Sequence, residues 1–143
     1  FKKYPLKYSA LILMFQKEMA HRIIGKFNTS KYGRLSILTN YRLKVSDSFD
    51  VSPNCFFPRP KVNSTVLLLK PNTKKLDKIK NKKNLEKITN FLFSNKRKMI
   101  NKTMKKIFNN NQINLIKNLN LRSRPSELKP EKYYEITKIF ENL

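Results

Sequence analysis

The sequence predicts an α/β fold that continues into a small all-helical part, and three observations support this prediction. Residues 10–15 form a short, continuously apolar run, which is the pattern of a central strand buried on both faces. Residues 43–51 and 62–69 carry their apolar side chains with a period of two, which is typical of strands. Beyond residue 71 the apolar period changes to 3.6, which indicates helices.

The first predicted strand leads directly into a helix. Met19, Ile23 and Ile24 recur at helical spacing after the apolar run, and Gly25 is placed to end the helix. The polar start of this helix follows the carboxyl end of the strand, where open α/β sheets bind their ligands. Residues 34–42 predict a second short helix. The chain therefore begins with a strand-to-helix unit.

The two alternating stretches are expected to form an antiparallel pair, because only a short loop separates them. In the first, the apolar side chains of Leu43, Val45, Phe49 and Val51 are predicted to share one face, which only Asp47 interrupts. In the second, Leu67 and Leu69 lie on one face and Val66 and Leu68 on the other. We expect both strands to contribute to the same sheet.

The loop between these strands is where the residues point most directly to chemistry. Pro58 and Pro60 fix their own φ and push the preceding residues toward extended conformations, so the loop is stiff. Phe56 and Phe57 offer ring faces on which a nucleobase can stack, while Arg59 and Lys61 supply positive charge for phosphates. The alternative is that a phenylalanine here covers the end of the sheet, and spacing alone leaves both interpretations open.

The polar run after residue 71 marks a domain boundary, with residues 1–71 as the α/β part and residues 72–143 as the helical part. Pro130 is predicted to occupy the first position of the last helix. The predicted inward positions are Leu85, Ile88, Phe91 and Leu92 in the first helix, Met99, Ile100, Thr103, Met104, Ile107 and Phe108 in the second, and Tyr133, Ile136, Phe140 and Leu143 in the last.

Basic charge is concentrated in the second of these helices. Lys98, Lys102 and Lys105 fall at i, i+4 and i+7 on one stripe, with Lys96 and Arg97 at its start. Such a stripe can follow a phosphate backbone. The alternative is an ordinary solvated face in a lysine-rich protein.

Charge and composition restrict the kinds of partner. A formal net charge of +23 over 143 residues favours an anionic polymer, and nucleic acid above all, over a small acidic substrate. One cysteine and one histidine exclude an internal disulfide and a Cys/His metal site, and we expect no metal and a cytoplasmic location. No apolar run approaches the roughly 20 residues of a membrane span, so no membrane partner is expected.

Enzymatic machinery is not evident in the residues themselves. The two glycines, Gly25 and Gly33, are too few for a glycine-rich loop that would bind a nucleotide or S-adenosylmethionine. No Ser/His/Asp set and no paired acid and base can be picked out. The chain starts at Phe1 with an apolar segment close behind, which suggests a piece of a longer protein.

Three motifs in series nevertheless resemble a known family. They are residues 13–23 (LMFQKEMAHRI), 31–36 (KYGRLS) and 56–64 (FFPRPKVNS), and their order and spacing are similar to those of the small-subunit rRNA adenine N6,N6-dimethyltransferases, the KsgA family. The helical part is similar as well, at residues 95–98 (NKRK) and 124–128 (RPSEL). One departure is Asn101-Lys102, where the family commonly has Arg then Asn.

The resemblance implies the C-terminal part of a class I (Rossmann-like) methyltransferase sheet and a small helical domain that binds rRNA. Residues 10–16 would be the fifth strand, and the pair around Phe56 the sixth and seventh. The family uses S-adenosylmethionine to dimethylate two adjacent adenines in a hairpin near the 3′ end of small-subunit rRNA. Its cofactor-binding and catalytic motifs lie upstream of the fifth strand, so this chain alone is expected to be inactive.

The site residues follow from the same resemblance. No catalytic or cofactor-binding residue is assigned within this chain, and Phe56 matches the residue that lies beside the extruded adenine. The small ribosomal subunit is the implied partner, and we expect a monomer. The candidate RNA-binding residues are Arg34, Arg59, Lys61, Lys96, Arg97, Lys98, Lys102 and Lys105.

Two alternatives remain open. Large-subunit rRNA adenine methyltransferases of the macrolide-resistance type share the Phe-x-Pro-x-Pro-x-Val-x-Ser pattern of residues 56–64, although the other two motifs fit the KsgA family better. A non-catalytic RNA-binding or ribosome assembly protein is the second alternative. It would follow if no cofactor motif preceded this chain in its gene.

Overall fold

A computed structural model of the protein describes residues 8–72 and 79–142. The three strands are β1 (Leu11–Gln16), β2 (Leu43–Val51) and β3 (Ser64–Pro71). The helices are α1 (Lys17–Ile24), α2 (Arg34–Arg42), α3 (Lys82–Phe93), α4 (Asn101–Ile107), α5 (Asn110–Asn114) and α6 (Pro130–Phe140). Short 3₁₀ turns occur at Pro53–Cys55 and Pro125–Glu127.

The strands form one sheet in the order β1-β3-β2. Both outer strands are antiparallel to β3, so β1 and β2 run in the same direction. The antiparallel pair predicted around the proline-rich loop is therefore confirmed. Helix α1 covers one face of the sheet, where Ala20 and Ile23 pack against Leu67 and Leu69. This arrangement confirms the α/β prediction for the first part of the chain.

Strand β1 differs from its prediction as a central strand buried on both faces. Among the described residues it pairs only with β3 and is an edge strand. The side chains of Ile12 and Met14 point away from α1 and are 72% and 53% exposed. The prediction is wrong for the described chain because β3 lies beside β1 on one side only and α1 covers only one of its faces.

A β-bulge in β2 changes which face carries its apolar residues. The pairing register shifts between Val45 and Asp47, so Ser46 is the extra residue. Val45 still pairs with Leu69 on the covered face, whereas Phe49 pairs with Val66 on the opposite face and is 62% exposed. The predicted common face is therefore wrong beyond residue 46, because one extra residue reverses the alternation.

The end of α1 depends on a glycine, as predicted. Gly25 follows the last helical residue, Ile24. A Cβ atom at Gly25 would lie 2.4 Å from the carbonyl oxygen of Lys31, so no other residue fits without a backbone shift. The segment after α1 therefore folds back closely on the helix end before α2 begins.

The larger of the two hydrophobic cores found among the described residues contains residues from both sides of position 71. Tyr32, just before α2, and Ile37, within α2, are buried among residues of the helical part. The hydroxyl of Tyr32 donates a 2.7 Å hydrogen bond to the carbonyl of Leu128, and that of Tyr134 donates one of 3.0 Å to Ile37. Helix α2 thus connects the sheet to the helical part, and the boundary at 71/72 stays a prediction.

The helical part follows its periodicity closely, with two corrections. Helices α3 and α6 are confirmed, and Pro130 is the first residue of α6. The second helix begins only at Asn101, and Met99, like Phe91 on α3, is exposed and not part of the core. Leu143 lies outside the described residues.

Candidate nucleic-acid interface

The proline-rich loop, residues 52–63, joins β2 to β3 at the end of the sheet. It begins with a 3₁₀ turn in which the Ser52 hydroxyl accepts a 3.2 Å hydrogen bond from the backbone N–H of Asn54. At its other end the carbonyl of Asn63 accepts a 2.9 Å bond from the N–H of Lys17, the first residue of α1. The loop is thus attached both to its own strands and to the start of α1.

An ion pair strengthens this attachment. The ammonium of Lys17 contacts the carboxylate of Asp50 at the end of β2, and the hydroxyl of Thr65 donates a 2.7 Å hydrogen bond to the same carboxylate. The hydrogen bond from Lys17, followed by that from Thr65, lowers the pKa of Asp50 below its ordinary value. Because Gln16 pairs with Ser64, the loop lies beside the carboxyl end of β1.

The two phenylalanines of the loop have different environments. Phe56 is half-buried, whereas the exposed fraction of Phe57 is 103%. Arg59 and Lys61 are both exposed, as their predicted contact with phosphates requires. The motif distinguishes Phe56, its fixed phenylalanine, from the variable position of Phe57, but it does not indicate that the two rings differ in exposure.

A cleft of about 870 Å³ in the helical part brings three of the eight predicted RNA-binding residues together with three further cations. Its lining includes six cationic side chains and one carboxylate, that of Glu127. The carboxylate of Glu127 already accepts a 2.8 Å hydrogen bond from the backbone N–H of Arg124. We call this the basic cleft, and its cationic residues are Arg97, Lys98, Lys102, Lys106, Arg122 and Arg124.

Long-range backbone hydrogen bonds build the basic cleft. The N–H groups of Ile100 and Asn101, where α4 begins, donate to the carbonyls of Ser123 and Leu121 at 3.0 and 3.1 Å. These bonds bring the segment carrying the two arginines of residues 122–124 against the start of α4. The predicted helical stripe is only partly realised, because Lys96, Arg97 and Lys98 lie in the turn before α4. Lys105 does not line the cleft.

Sequence reasoning missed three members of the basic cleft. Lys106 follows Lys102 by four residues on α4, a spacing that could have identified it. Arg122 and Arg124 lie about twenty residues further along the chain, and no local pattern links them to α4. Only the RPSEL motif, residues 124–128, pointed to this stretch.

A second cleft of about 510 Å³, the junction cleft, lies between α1, the start of α2 and the end of α3. It brings together two predicted residues, Arg34 and Lys96, with Arg22 and Lys31. Glu18 is the acidic member, and its carboxylate contacts Lys31 at 2.9 Å and Arg22 at 3.4 Å. The hydrogen bond from Lys31 lowers the pKa of Glu18 below its ordinary value.

Seven of the eight predicted RNA-binding residues therefore fall into three places, and the eighth, Lys105, lines neither cleft. Arg97, Lys98 and Lys102 line the basic cleft, and Arg34 and Lys96 line the junction cleft. Arg59 and Lys61 are on the proline-rich loop. Within residues 8–72 and 79–142, no three His, Cys, Asp or Glu side chains converge as metal ligands would. No helix in these ranges is both long and apolar enough to cross a membrane.

Comparisons with known proteins place this arrangement in context. The family model described as "Ribosomal RNA adenine dimethylase" matches residues 2–142. Ribosomal RNA small subunit methyltransferase A of Pelagibacter ubique (strain HTCC1062) is 44% identical over 137 residues, which are 95% of this chain and 52% of that protein. The protein of the same name from Bradyrhizobium sp. (strain BTAi1 / ATCC BAA-1182) is 38% identical over 104 residues, 73% of this chain and 36% of that protein.

Solved structures share the fold. A dimethyladenosine transferase from Plasmodium falciparum superposes with a TM-score of 0.75 at 22% identity, covering 97% of this chain and 59% of that one. The 23S rRNA methyltransferase ErmE superposes with a TM-score of 0.60 at 15% identity, covering 93% and 55% of the two chains. This chain spans about half the length of the Pelagibacter relative.

Proposed function

The chain belongs to the ribosomal RNA adenine dimethylase family, and from this premise we propose that it forms part of an enzyme that dimethylates two adjacent adenines near the 3′ end of small-subunit rRNA. In this proposal, the part of the enzyme formed by this chain binds the RNA. The names of the curated relatives support small-subunit rRNA as the substrate. The similarity to ErmE concerns the fold alone, so it does not favour a large-subunit substrate.

The basic cleft is the observation that carries this proposal. Six cations around one concave surface attract a polyanion, and the single carboxylate among them is already hydrogen-bonded to backbone. Arginines present a planar fork that suits phosphate, while lysines contribute point charges.

The proline-rich loop at the end of the sheet supplies the second proposed contact with the RNA. Phe56 lies on a loop attached beside the carboxyl end of β1, the side of an α/β sheet where ligands bind. We assign its ring to the extruded target adenine, with Arg59 and Lys61 near the flanking phosphates. We assign Arg34 and Lys96, which line the junction cleft, to further contacts with RNA phosphates.

The methyl donor in this proposal is S-adenosylmethionine, held by residues outside this chain. The chain's own residues bind and orient the RNA and provide an aromatic surface for the target base. We further propose that the enzyme acts as a monomer in the cytoplasm on the small ribosomal subunit. A non-catalytic assembly role would instead require RNA binding without methyl transfer by the complete gene product.

The proposed RNA contact can be tested through its salt dependence. The triple variant Lys98→Gln/Lys102→Gln/Arg124→Gln removes three charges from the basic cleft, and Lys83→Gln/Lys87→Gln/Lys117→Gln removes three exposed charges that line neither cleft. Affinity for a small-subunit rRNA 3′ hairpin is measured at several salt concentrations for both variants of the complete gene product.

We expect the first variant to flatten the slope of log affinity against log salt by about 2 to 3, since each lost phosphate contact removes a counterion released on binding. The control variant should change the slope much less. Equal slopes for both variants, with helix content preserved by circular dichroism, would overturn the assignment of the cleft.

A further inference from the structure

We propose that Phe57 is a second base-stacking residue, which contacts an unpaired nucleobase of the RNA other than the one at Phe56. This inference rests on the proposed function, because it names a further contact of the same RNA. The ring of Phe57 is fully exposed at the tip of the proline-rich loop. Single exposed apolar residues are common in folded proteins, so exposure alone does not decide the matter.

The chemistry around Phe57 favours a nucleic acid. Arg59 and Lys61 follow it on the same loop and are exposed. The sequence has no aspartate or glutamate between Asp50 and Asp77, so no acidic side chain of the loop opposes a phosphate. An exposed aromatic ring among unopposed cations is the combination that proteins use to hold single-stranded nucleic acid.

The loop also presents the ring from a well-attached base. Its first residues form a capped 3₁₀ turn, and Asn63 at its end is bonded to the start of α1. The Lys17–Asp50 ion pair lies next to the point where the loop leaves β2. Attachment at both ends reduces the conformational entropy that ordering the loop on RNA would cost.

The backbone conformation at Phe56 directs the rings of Phe56 and Phe57 to opposite sides of the loop. Phe56 has φ −124° and ψ 149°, an extended conformation in which consecutive side chains project to opposite sides. Phe56 is accordingly half-buried and Phe57 fully exposed. Two rings that project in different directions cannot enclose one base, so they serve two different bases. A substrate with two adjacent adenines in a loop offers such a pair.

A single flat ring suits a base better than it suits a protein surface. Protein interfaces bury a cluster of apolar side chains surrounded by a polar rim. Of the other loop residues, only Val62 is a large exposed hydrophobic, and the charged Arg59 and Lys61 come between it and Phe57 in the sequence. A base requires only one ring face and tolerates cations on either side.

The test compares Phe57→Leu, which keeps an apolar side chain but loses the ring, with Phe57→Tyr, which keeps the ring. Val62→Ala, in the same loop, is the matched control. The complete gene product is used with an RNA hairpin whose loop contains two adjacent adenines. 2-Aminopurine replaces the loop bases one at a time, and its fluorescence reports stacking at each position.

We expect Phe57→Leu to lose the fluorescence change at one loop position next to the target and to bind the hairpin at least about 5-fold more weakly. Phe57→Tyr and Val62→Ala should behave like the unsubstituted protein. If Phe57→Leu keeps every fluorescence change, or loses them together with thermal stability, the ring packs on protein and the inference is overturned while the proposed function stands. If the unsubstituted protein binds no hairpin RNA, both fail.

Discussion

Phe56 and Phe57 are adjacent in the sequence, but their rings differ in how far they are exposed to solvent. One ring is half-buried beside the end of the sheet, and the next is fully exposed. The motif they belong to predicts that Phe56 lies beside the target base, and it assigns no role to Phe57. Phe56, the ring that is partly buried, therefore stays the proposed contact of the target base.

Replacing Phe56 by leucine should lower the rate of dimethylation by the complete gene product more than it weakens RNA binding. Loss of one stacking surface removes about 1 to 3 kcal/mol at the extruded base, whereas the phosphate contacts remain. Single-turnover methylation rates and hairpin affinities measure the two effects. Unchanged turnover together with a lower melting temperature would mean that Phe56 covers the end of the sheet.

Asp50 should make stability depend on pH in acid. Its pKa is lowered in the folded protein by Lys17 and Thr65, so its ionised form stabilises the fold at any pH above the ordinary aspartate pKa of about 4. That contribution is lost as the pH falls through the lowered pKa. We expect Asp50→Asn to reduce the melting temperature at pH 7 and to flatten its decline below about pH 4.

The control for this measurement is Glu86→Gln, on an exposed position of α3. Melting temperatures are recorded between neutral and strongly acidic pH for the unsubstituted protein and both variants. If the melting temperature of the Asp50→Asn variant falls with decreasing pH as steeply as that of the Glu86→Gln variant, the ion pair with Lys17 does not stabilise the loop.

At the scale of elements, the ends of helices position the basic residues. The predicted second helix starts later than its periodicity suggests, because residues 94–98 form turns between α3 and α4. Three of the predicted cations, residues 96–98, therefore lie on a connection and not on a helical stripe. That connection divides them between the junction cleft and the basic cleft.

The start of α3 is held by the end of α6. The carboxylate of Glu141 accepts hydrogen bonds of 2.6 and 2.7 Å from the backbone N–H groups of Lys80 and Asn81, just before α3 begins. Glu141→Ala leaves both donors without this acceptor and should reduce the free energy of unfolding by about 1 to 2 kcal/mol.

Urea unfolding measures this loss, and Glu86→Ala on the exposed side of α3 serves as the reference. Both variants remove one glutamate, so a difference between them isolates the contacts at the helix end. Equal midpoints would show that solvent replaces the Glu141 carboxylate without cost.

At the scale of the whole molecule, the sheet has one covered and one exposed face. Helix α1 packs on the face of Leu67 and Leu69, whereas Ile12, Met14 and Phe49 are exposed on the other. The outer edge of β1 also has no strand beside it among the described residues. An apolar face next to an open strand edge favours association.

We therefore expect the 143-residue chain, expressed by itself, to self-associate. The double variant Ile12→Lys/Phe49→Lys places two charges on the exposed face and should remain monomeric at higher concentration. Sedimentation velocity at several concentrations measures this. A sharp monomeric thermal transition of the unsubstituted chain would show that the exposed face is tolerated.

The same chain should bind no S-adenosylmethionine. Its two glycines form no phosphate-binding or cofactor-binding loop, and neither has a positive φ. Calorimetric titration with the cofactor should give no saturable heat. Tight binding would mean that residues of this chain contribute a cofactor site of a kind that its sequence motifs do not indicate.

The sequence by itself determined the local elements and the family. The period of apolar residues located α3 and α6, the alternation of two stretches around a short loop located the pair β2 and β3, and Gly25 located the end of α1. These predictions succeed because hydrophobic periodicity and helix-ending residues are properties of neighbouring positions in the sequence. The three motifs in series identified the family, which the comparisons confirm.

The tertiary structure alone decided where those elements and side chains meet. One bulge at Ser46 put Phe49 on the exposed face, and the position of β3 between its neighbours made β1 an edge strand. Arg124 reaches the basic cleft only because backbone hydrogen bonds join Ser123 and Leu121 to the start of α4. Such contacts link residues about twenty or more positions apart, and no local pattern in the sequence records the pairing of distant backbone groups.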